Sequence, residues 1–317
     1  MRAVRCVESQ VVCTDVPEPV GEGVRVKVAA AGVCGSDLHM VDMMPLAATL
    51  GHEFAGTLAD GRLVAVEPYA PCRTCADCVD GRPYHCRHGL QTFGLDRDGG
   101  MAEWCLVPES SIVQVPTGLE PTASALVEPI AVAVHAARLA GDVSGVSAAV
   151  IGGGTIGLCA LVALQAAGAS SVDVVARHDH QREAVQRLGG RVEDGGTDNR
   201  TVWDVVVDAA GTDASLAQAI RMVRPGGRVV LAGTYWAGTV PLPAIELCMK
   251  EVRLIPSMMY GHDKATRDFD VAAQLLAARP EIASTLITHR FPLDAVAEAF
   301  AVARDRASGS IKVVLEP

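Results

Sequence analysis

The stretch Ala148-Ala149-Val150-Ile151-Gly152-Gly153-Gly154-Thr155-Ile156-Gly157 constrains this chain more than any other. Its apolar run reads as a strand buried on both faces, the pattern of a parallel sheet. Glycines at 152, 154 and 157 follow, and an Ala/Leu helix runs on to Ala167. Gly-x-Gly-x-x-Gly alone is a weak signal; between a strand and a helix it marks a dinucleotide turn. Gly152 then permits the tight turn, Gly154 lets the backbone approach a pyrophosphate, and Gly157 allows close helix–strand packing. Gly153, Thr155 and Ile156 complete the turn, and the helix N-terminus offers unpaired N–H groups to phosphate.

The strand–helix rhythm continues through Val172-Asp173-Val174-Val175, Val205-Val206-Val207, a helix near 216–223 and Arg228-Val229-Val230-Leu231. That alternation predicts a doubly wound parallel sheet. Strand ends at Asp208-Ala209-Ala210-Gly211 and Ala232-Gly233-Thr234 would line the nucleotide crevice, making Ala210 and Gly233 candidate cofactor contacts unless these are ordinary turns. A site for NAD usually carries an acid about 20 residues beyond the glycine turn. Here Val174-Val175-Ala176 leads into Arg177, with His178, His180 and Arg182 after it. A guanidinium suits a 2′-phosphate, so Arg177 predicts NADP(H) in preference to NAD(H), with Arg182 a further candidate cofactor contact. The competing arrangement turns Arg177 to solvent and brings in Asp179 for NAD.

The first third is β-rich. Val24-Arg25-Val26-Lys27-Val28 alternates with period two, and Leu63-Val64-Ala65-Val66 and Trp104-Cys105-Leu106-Val107 are short strands. A helix over 124–139 is expected, kinked at Pro129. Toward the end come helices at 270–278 and 293–303 and a closing strand at 311–315. With 317 residues and about 100–200 per domain, the chain divides into 1–129, 130–258 and 259–317. The last part is expected to fold back onto the first.

The N-terminus lacks the charged and apolar regions of a signal peptide, and no window offers the ~20 apolar residues of a membrane span. A cytoplasmic protein without a membrane partner is expected. The net charge is −10 with no basic run, which argues against a nucleic-acid partner. Ten cysteines in such a chain point to metal before disulfides. Four follow the spacing Cys72-x2-Cys75-x2-Cys78-x7-Cys86, suited to a closed tetrahedral zinc of structural type. Plain reduced cysteines or an iron–sulfur cluster are the alternatives. His85 and His88 read as bystanders. Cys6, Cys13, Cys105, Cys159 and Cys248 read as small buried hydrophobes.

Cys34-Gly35-Ser36-Asp37-Leu38-His39, Gly51-His52-Glu53 and Glu128 hold a second candidate set. A thiolate, an imidazole and a carboxylate can bind zinc and leave a position open. Individually each is weak: a lone histidine is commonly structural, and Ser36 and Asp37 suit a turn or cap. Glu128 is more telling, because an unpaired carboxylate in an apolar helix is costly.

Together, the Cys34–His39 string, Gly51-His52-Glu53-x2-Gly56 and the four-cysteine loop resemble the zinc-containing medium-chain alcohol dehydrogenase family. Glu128-Pro129-Ile130-Ala131-Val132 is similar to its polyol branch, that of sorbitol and butanediol dehydrogenases, and the likeness runs to Ile311-Lys312-Val313-Val314. The resemblance implies a GroES-like β-rich catalytic domain and a Rossmann cofactor domain. It implies Cys34 and His52 as ligands of a catalytic zinc, Glu53 as a direct or intermittent ligand, and Glu128 bound directly or through water. It implies that Ser36 takes the substrate's proton, that His39 passes it toward solvent through the cofactor ribose, and that Asp37 orients His52. The implied reaction moves a hydride between NAD(P) and a secondary alcohol, diol, polyol or cyclitol, or the matching ketone.

Rival readings are a threonine- or formaldehyde-type dehydrogenase of the same family, and a dinucleotide-binding sensor without turnover. A homodimer or homotetramer is expected, with apolar pieces at 240–255 able to extend the sheet across an axis.

Overall fold

The computed structural model describes residues 1–194 and 202–317. They form two compact units, Met1–Glu128 with Gly261–Pro317, and Pro129–Tyr260.

The first unit is built on a seven-stranded sheet. Its long strand, Val24–Gly32, alternates in burial at its start and is buried throughout from Ala30. That change follows the sequence, where Val/Arg/Lys alternation gives way to Ala-Ala-Ala-Gly. The strand pairs antiparallel with Glu53–Thr57, placing Gly32 opposite Glu53. A Cβ on Gly32 would lie 2.1 Å from Glu53 Oε2, so only glycine leaves room for this carboxylate. The closing strand Lys312–Glu316 pairs antiparallel with the same long strand, Val314 opposite Gly32. Val26, Phe54, Val66, Phe93, Met101 and Leu315 lie in the core beneath.

The entry to Glu53–Thr57 is fixed by close backbone contact. Gly51 has φ +98°, and a Cβ there would come within 2.7 Å of the Met101 nitrogen. Gly100 N–H donates to Gly51 O at 2.8 Å, and Met101 N–H to Leu50 O at 2.9 Å. His52 therefore leaves a clamped loop.

The helix expected over 124–139 is two pieces, a 3₁₀ turn Thr122–Leu126 and an α-helix Val127–Leu139. Pro129 lies in the first turn of that α-helix, just past the change from 3₁₀ to α geometry, where a missing N–H is tolerated. The stretch 293–303 likewise divides into a 3₁₀ turn Leu293–Ala295 and a helix Val296–Arg304.

The second unit is a six-stranded sheet with every pairing parallel. Its strands are β1 (Ser147–Ile151), β2 (Ser171–Val175), β3 (Arg191–Glu193), β4 (Trp203–Asp208), β5 (Val223–Leu231) and β6 (Arg253–Pro256). The spatial order is β3-β2-β1-β4-β5-β6. It reverses direction between β1 and β4, where open α/β sheets bind ligands. Helices α1 (Thr155–Ala166), α2 (Asp179–Arg187) and α3 (Asp213–Met222) connect the strands, and α1 is buried from Gly157 to Leu164. A short α4 (Ala244–Met249) buries none of its residues.

Cys105 and Cys159 are buried as expected, but Cys6 and Cys13 are only partly buried and Cys248 is exposed. The last sits on α4, which has no core to pack into. No helix among the described residues is long and apolar enough to cross a membrane.

Candidate active site

Cys34 caps the helix Gly35–Met43 with extended backbone, φ −86° and ψ 152°. Its N–H donates to Asp37 Oδ2 at 2.9 Å, so Asp37 fixes the first turn. The other oxygen, Asp37 Oδ1, lies 3.3 Å from His52 Nδ1. The far nitrogen, His52 Nε2, faces Ser36 Oγ at 3.4 Å. The ring thus stands between the Asp37 carboxylate and the Ser36 hydroxyl. His39 is exposed three residues beyond Ser36, on the same face of the helix.

Ligand atoms of Cys34, His52 and Glu53 all lie within 4.8 Å of one another. Burial alone would push the His52 imidazole down, but the Asp37 carboxylate and Cys34 thiolate outweigh it and hold it well above its ordinary value. Burial, reinforced by Glu53, pushes the Glu128 carboxyl up to about 8, against the pull of His52 and Lys312. Glu128 thus faces the same cluster, though outside the group within 4.8 Å. So much anionic character in one buried place is what a divalent cation relieves, and sulfur with imidazole is a donor set suited to zinc.

Glu53 is held from behind. Lys312 Nζ donates to Glu53 Oε1 at 2.8 Å, to Oε2 at 2.6 Å and to Val33 O at 3.1 Å. Both side chains are nearly inaccessible.

The four-cysteine loop closes by short local structure. Cys75 caps the helical turn Ala76–Val79 that contains Cys78, and Cys86 follows the 3₁₀ turn Pro83–His85. The four sulfurs lie within 4.8 Å of one another. Cys72 and Cys78 Sγ are 3.9 Å apart; zinc with Zn–S near 2.3 Å needs about 3.8 Å along a tetrahedral edge. Hydrogen bonds from Thr74 and Cys75 pull the Cys72 thiol down to about 5, whereas burial beside the other sulfurs pushes Cys78 up to about 12. Four thiolates coexist here only around a cation, so the cluster fits a structural zinc. His85 and His88 are exposed and outside it. Arg73, inside the loop, reaches out to Glu67 Oε2 at 3.0 Å and Ser110 O at 2.9 Å.

In the second unit Gly152 has φ +111°, and a Cβ on Gly157 would lie 1.8 Å from Gly152 O. Gly153 approaches Ala176 Cβ to 2.9 Å by the same measure, while Gly154, the cap of α1, opens on nothing within 4 Å. Thr155 and Ile156 are partly buried in the first turn of α1. Arg177 is exposed two residues past β2. Arg182 is engaged, with Asp194 Oδ1 at 2.6 Å and Ala176 O at 3.4 Å. Ala210 and Gly233 sit beyond the ends of β4 and β5, where a Cβ on Gly233 would meet Gly211 N at 2.5 Å.

Residues 120–316 match the glucose dehydrogenase C-terminus model, and residues 21–117 match the alcohol dehydrogenase GroES-like domain. The chain is 30% identical to L-galactonate-5-dehydrogenase of Escherichia coli K12, over 90% of this chain and 89% of that one. The chain belongs to the zinc-dependent medium-chain alcohol and polyol dehydrogenases. The structure of galactitol-1-phosphate dehydrogenase from Escherichia coli superposes on this dehydrogenase with a TM-score of 0.89 at 28% identity, covering 100% of both chains. A zinc-binding dehydrogenase from Sinorhizobium meliloti 1021, bound to NADP, gives 0.88 at 29% identity, covering 100% of this chain and 99% of that one.

One residue behind the site of this dehydrogenase was given no role by the sequence reading. Lys312 was legible in principle, as a lone cation in the apolar run Ile311-Lys312-Val313-Val314-Leu315. Asp208, expected only as part of a strand end lining the nucleotide crevice, is fully buried.

Proposed function

We propose that this oxidoreductase moves a hydride between NADP(H) and a secondary alcohol, diol, polyol or cyclitol, or the corresponding ketone. One observation carries the reading: a thiolate, an imidazole and a buried carboxylate converge, with a second buried carboxylate interacting with them and a serine hydroxyl beside the imidazole. We assign Cys34 and His52 as the residues that hold a catalytic zinc, with Glu53 and Glu128 supplying carboxylate charge around it. Cys72, Cys75, Cys78 and Cys86 hold a structural zinc. When bound, the metal and the nicotinamide supply the Lewis acid and the hydride acceptor. The chain's own groups manage the proton: Ser36 takes it from the substrate hydroxyl, and His39 passes it on toward solvent. Asp37 keeps His52 in one tautomer, as metal-bound imidazoles require.

Gly152, Gly153, Gly154, Thr155, Ile156 and Gly157 receive the pyrophosphate at the N-terminus of α1. Arg177 receives the 2′-phosphate, with Arg182 held beside Ala176 at the same strand end; an NADP-bound relative supports the choice of cofactor. The test is cofactor-linked absorbance against a panel of secondary alcohols, diols, polyols and cyclitols with each nicotinamide. Zinc-dependent turnover with higher kcat/KM for NADP is expected. Full activity without zinc would overturn the metal assignment, and a tenfold advantage for NAD would overturn the cofactor assignment.

A homodimer through the β6 edge accords with the exposed apolar side chains that precede β6 in the chain. Ile245 and Met249 are 82% and 81% exposed, one helical turn apart on α4. A second copy related by a two-fold axis would cover them and continue the sheet.

A further inference from the structure

Asp208 closes β4 at the point where the strand order reverses. Its carboxylate is fully buried, yet no cation is paired with it among the described residues. Donors satisfy it instead. Oδ1 accepts from the Ala210 N–H at 2.9 Å and the Gly211 N–H at 3.2 Å. Oδ2 accepts from Ser215 Oγ at 2.8 Å and the Tyr235 hydroxyl at 2.5 Å. Its backbone oxygen accepts from Ala232 N at 2.9 Å and Gly233 N at 2.8 Å.

One residue thereby grips three segments: the loop after β4, the first turn of α3, and the loop after β5. The glycine turn joins them. Ala209 N–H donates to Ile151 O at 3.0 Å, and a Cβ on Gly152 would stand 3.4 Å from Ala210 N. The loops themselves carry little that could hold them. Ala209, Ala210, Gly211, Ala232 and Gly233 are small because the backbones nearly touch: a Cβ on Gly211 would meet Thr234 O at 2.6 Å. Chains of such residues have no side-chain packing to fix them, so their shape rests on hydrogen bonds. Tyr235 is half-buried, and its hydroxyl anchors the far loop; burial and Asp208 hold that hydroxyl well above the usual phenol range, so it stays a donor.

We propose that Asp208 and Tyr235 form a clasp that holds the two strand-end loops in the shape that receives the dinucleotide. Both are positioning residues, acting through the backbone of Ala210 and Gly233. The inference rests on the reading of this crevice as a nicotinamide dinucleotide site. Loosening the clasp lowers the fraction of protein in the receptive shape, and the apparent Kd rises in inverse proportion.

The test titrates the zinc-loaded full chain with NADPH and NADH separately, following nicotinamide fluorescence, beside a melting curve for each variant. Tyr235→Phe removes one donor and is expected to raise the Kd about tenfold, the effect of one hydrogen bond to a charged group. Asp208→Asn keeps an oxygen toward Ala210 and Gly211, so its Kd falls between those of the wild type and Asp208→Ala. Asp204→Asn is the control for general loosening. Asp204 lies at the other end of β4, holding Arg224 and Ser147, and its variant is expected to melt earlier with Kd unchanged. If Asp208→Ala fails to fold, Tyr235→Phe still decides. A Tyr235→Phe Kd within twofold of wild type overturns the clasp, and so does an equal rise in Asp204→Asn. If the wild type binds neither dinucleotide, the reading of the crevice itself fails.

Discussion

Lys312 and Glu53 are locked together beneath the proposed metal site, the ammonium reaching both carboxylate oxygens at 2.8 and 2.6 Å. Burial would push the Lys312 ammonium down, but Glu53, Cys34 and Glu128 outweigh it and keep it charged. Removing one partner of a buried pair leaves an uncompensated charge, at a cost of about 3–5 kcal/mol. Lys312→Met is therefore expected to lower the unfolding free energy by that amount in urea denaturation. Adding Glu53→Gln should recover most of the loss. A single variant as stable as wild type would mean that Glu53 is not held by this lysine.

Glu128 is expected to act in opposite directions with and without metal. In the metal-free protein its carboxyl titrates near 8 in place of 4.5, so the folded state holds the proton more tightly than the unfolded state. Stability then falls as pH rises through that window. Glu128→Gln does not titrate and should flatten the slope in melting curves of the stripped protein. The same change removes negative charge near the metal, and zinc affinity should fall on the order of tenfold or more. A chelator competition assay reads that loss. An unchanged slope would place Glu128 away from the cluster.

The fold was legible because its signals are local. The apolar strand before Gly152 and the four close-spaced cysteines announce themselves within a few residues. The support of the site was not. Lys312 and Glu53 are 259 residues apart, and they meet only because the closing strand pairs beside Val24–Gly32. Asp208 likewise meets the Tyr235 hydroxyl, 27 residues on. The division of the expected helix 124–139 was not legible, since its apolar sequence does not distinguish a 3₁₀ turn from the α-helix that follows it. Cys248 was misread because α4 is apolar without being buried.

Arg177 stands exposed just past β2, where an acid would serve a ribose hydroxyl. Arg182 is already committed to Asp194, which leaves Arg177 as the freer guanidinium. Arg177→Asp is expected to lower kcat/KM for NADP at least tenfold, while the value for NAD holds or rises. Steady-state kinetics with both cofactors checks this. If the two values fall together, the residue serves the loop and not the phosphate.

The β6 edge and α4 supply the last prediction. Leu242, Ile245, Met249 and Met258 are 46%, 82%, 81% and 58% exposed, and all flank the end strand of the sheet along the chain. An uncovered edge beside apolar side chains invites pairing, and a two-fold axis closes the contact after one partner. Ile245→Asp with Met249→Asp would place two carboxylates in each half of that contact, repelling their symmetry mates. Light scattering after size exclusion should then show a single chain where the wild type runs as a dimer or a larger assembly. A variant with the same mass as wild type would move the interface to another face.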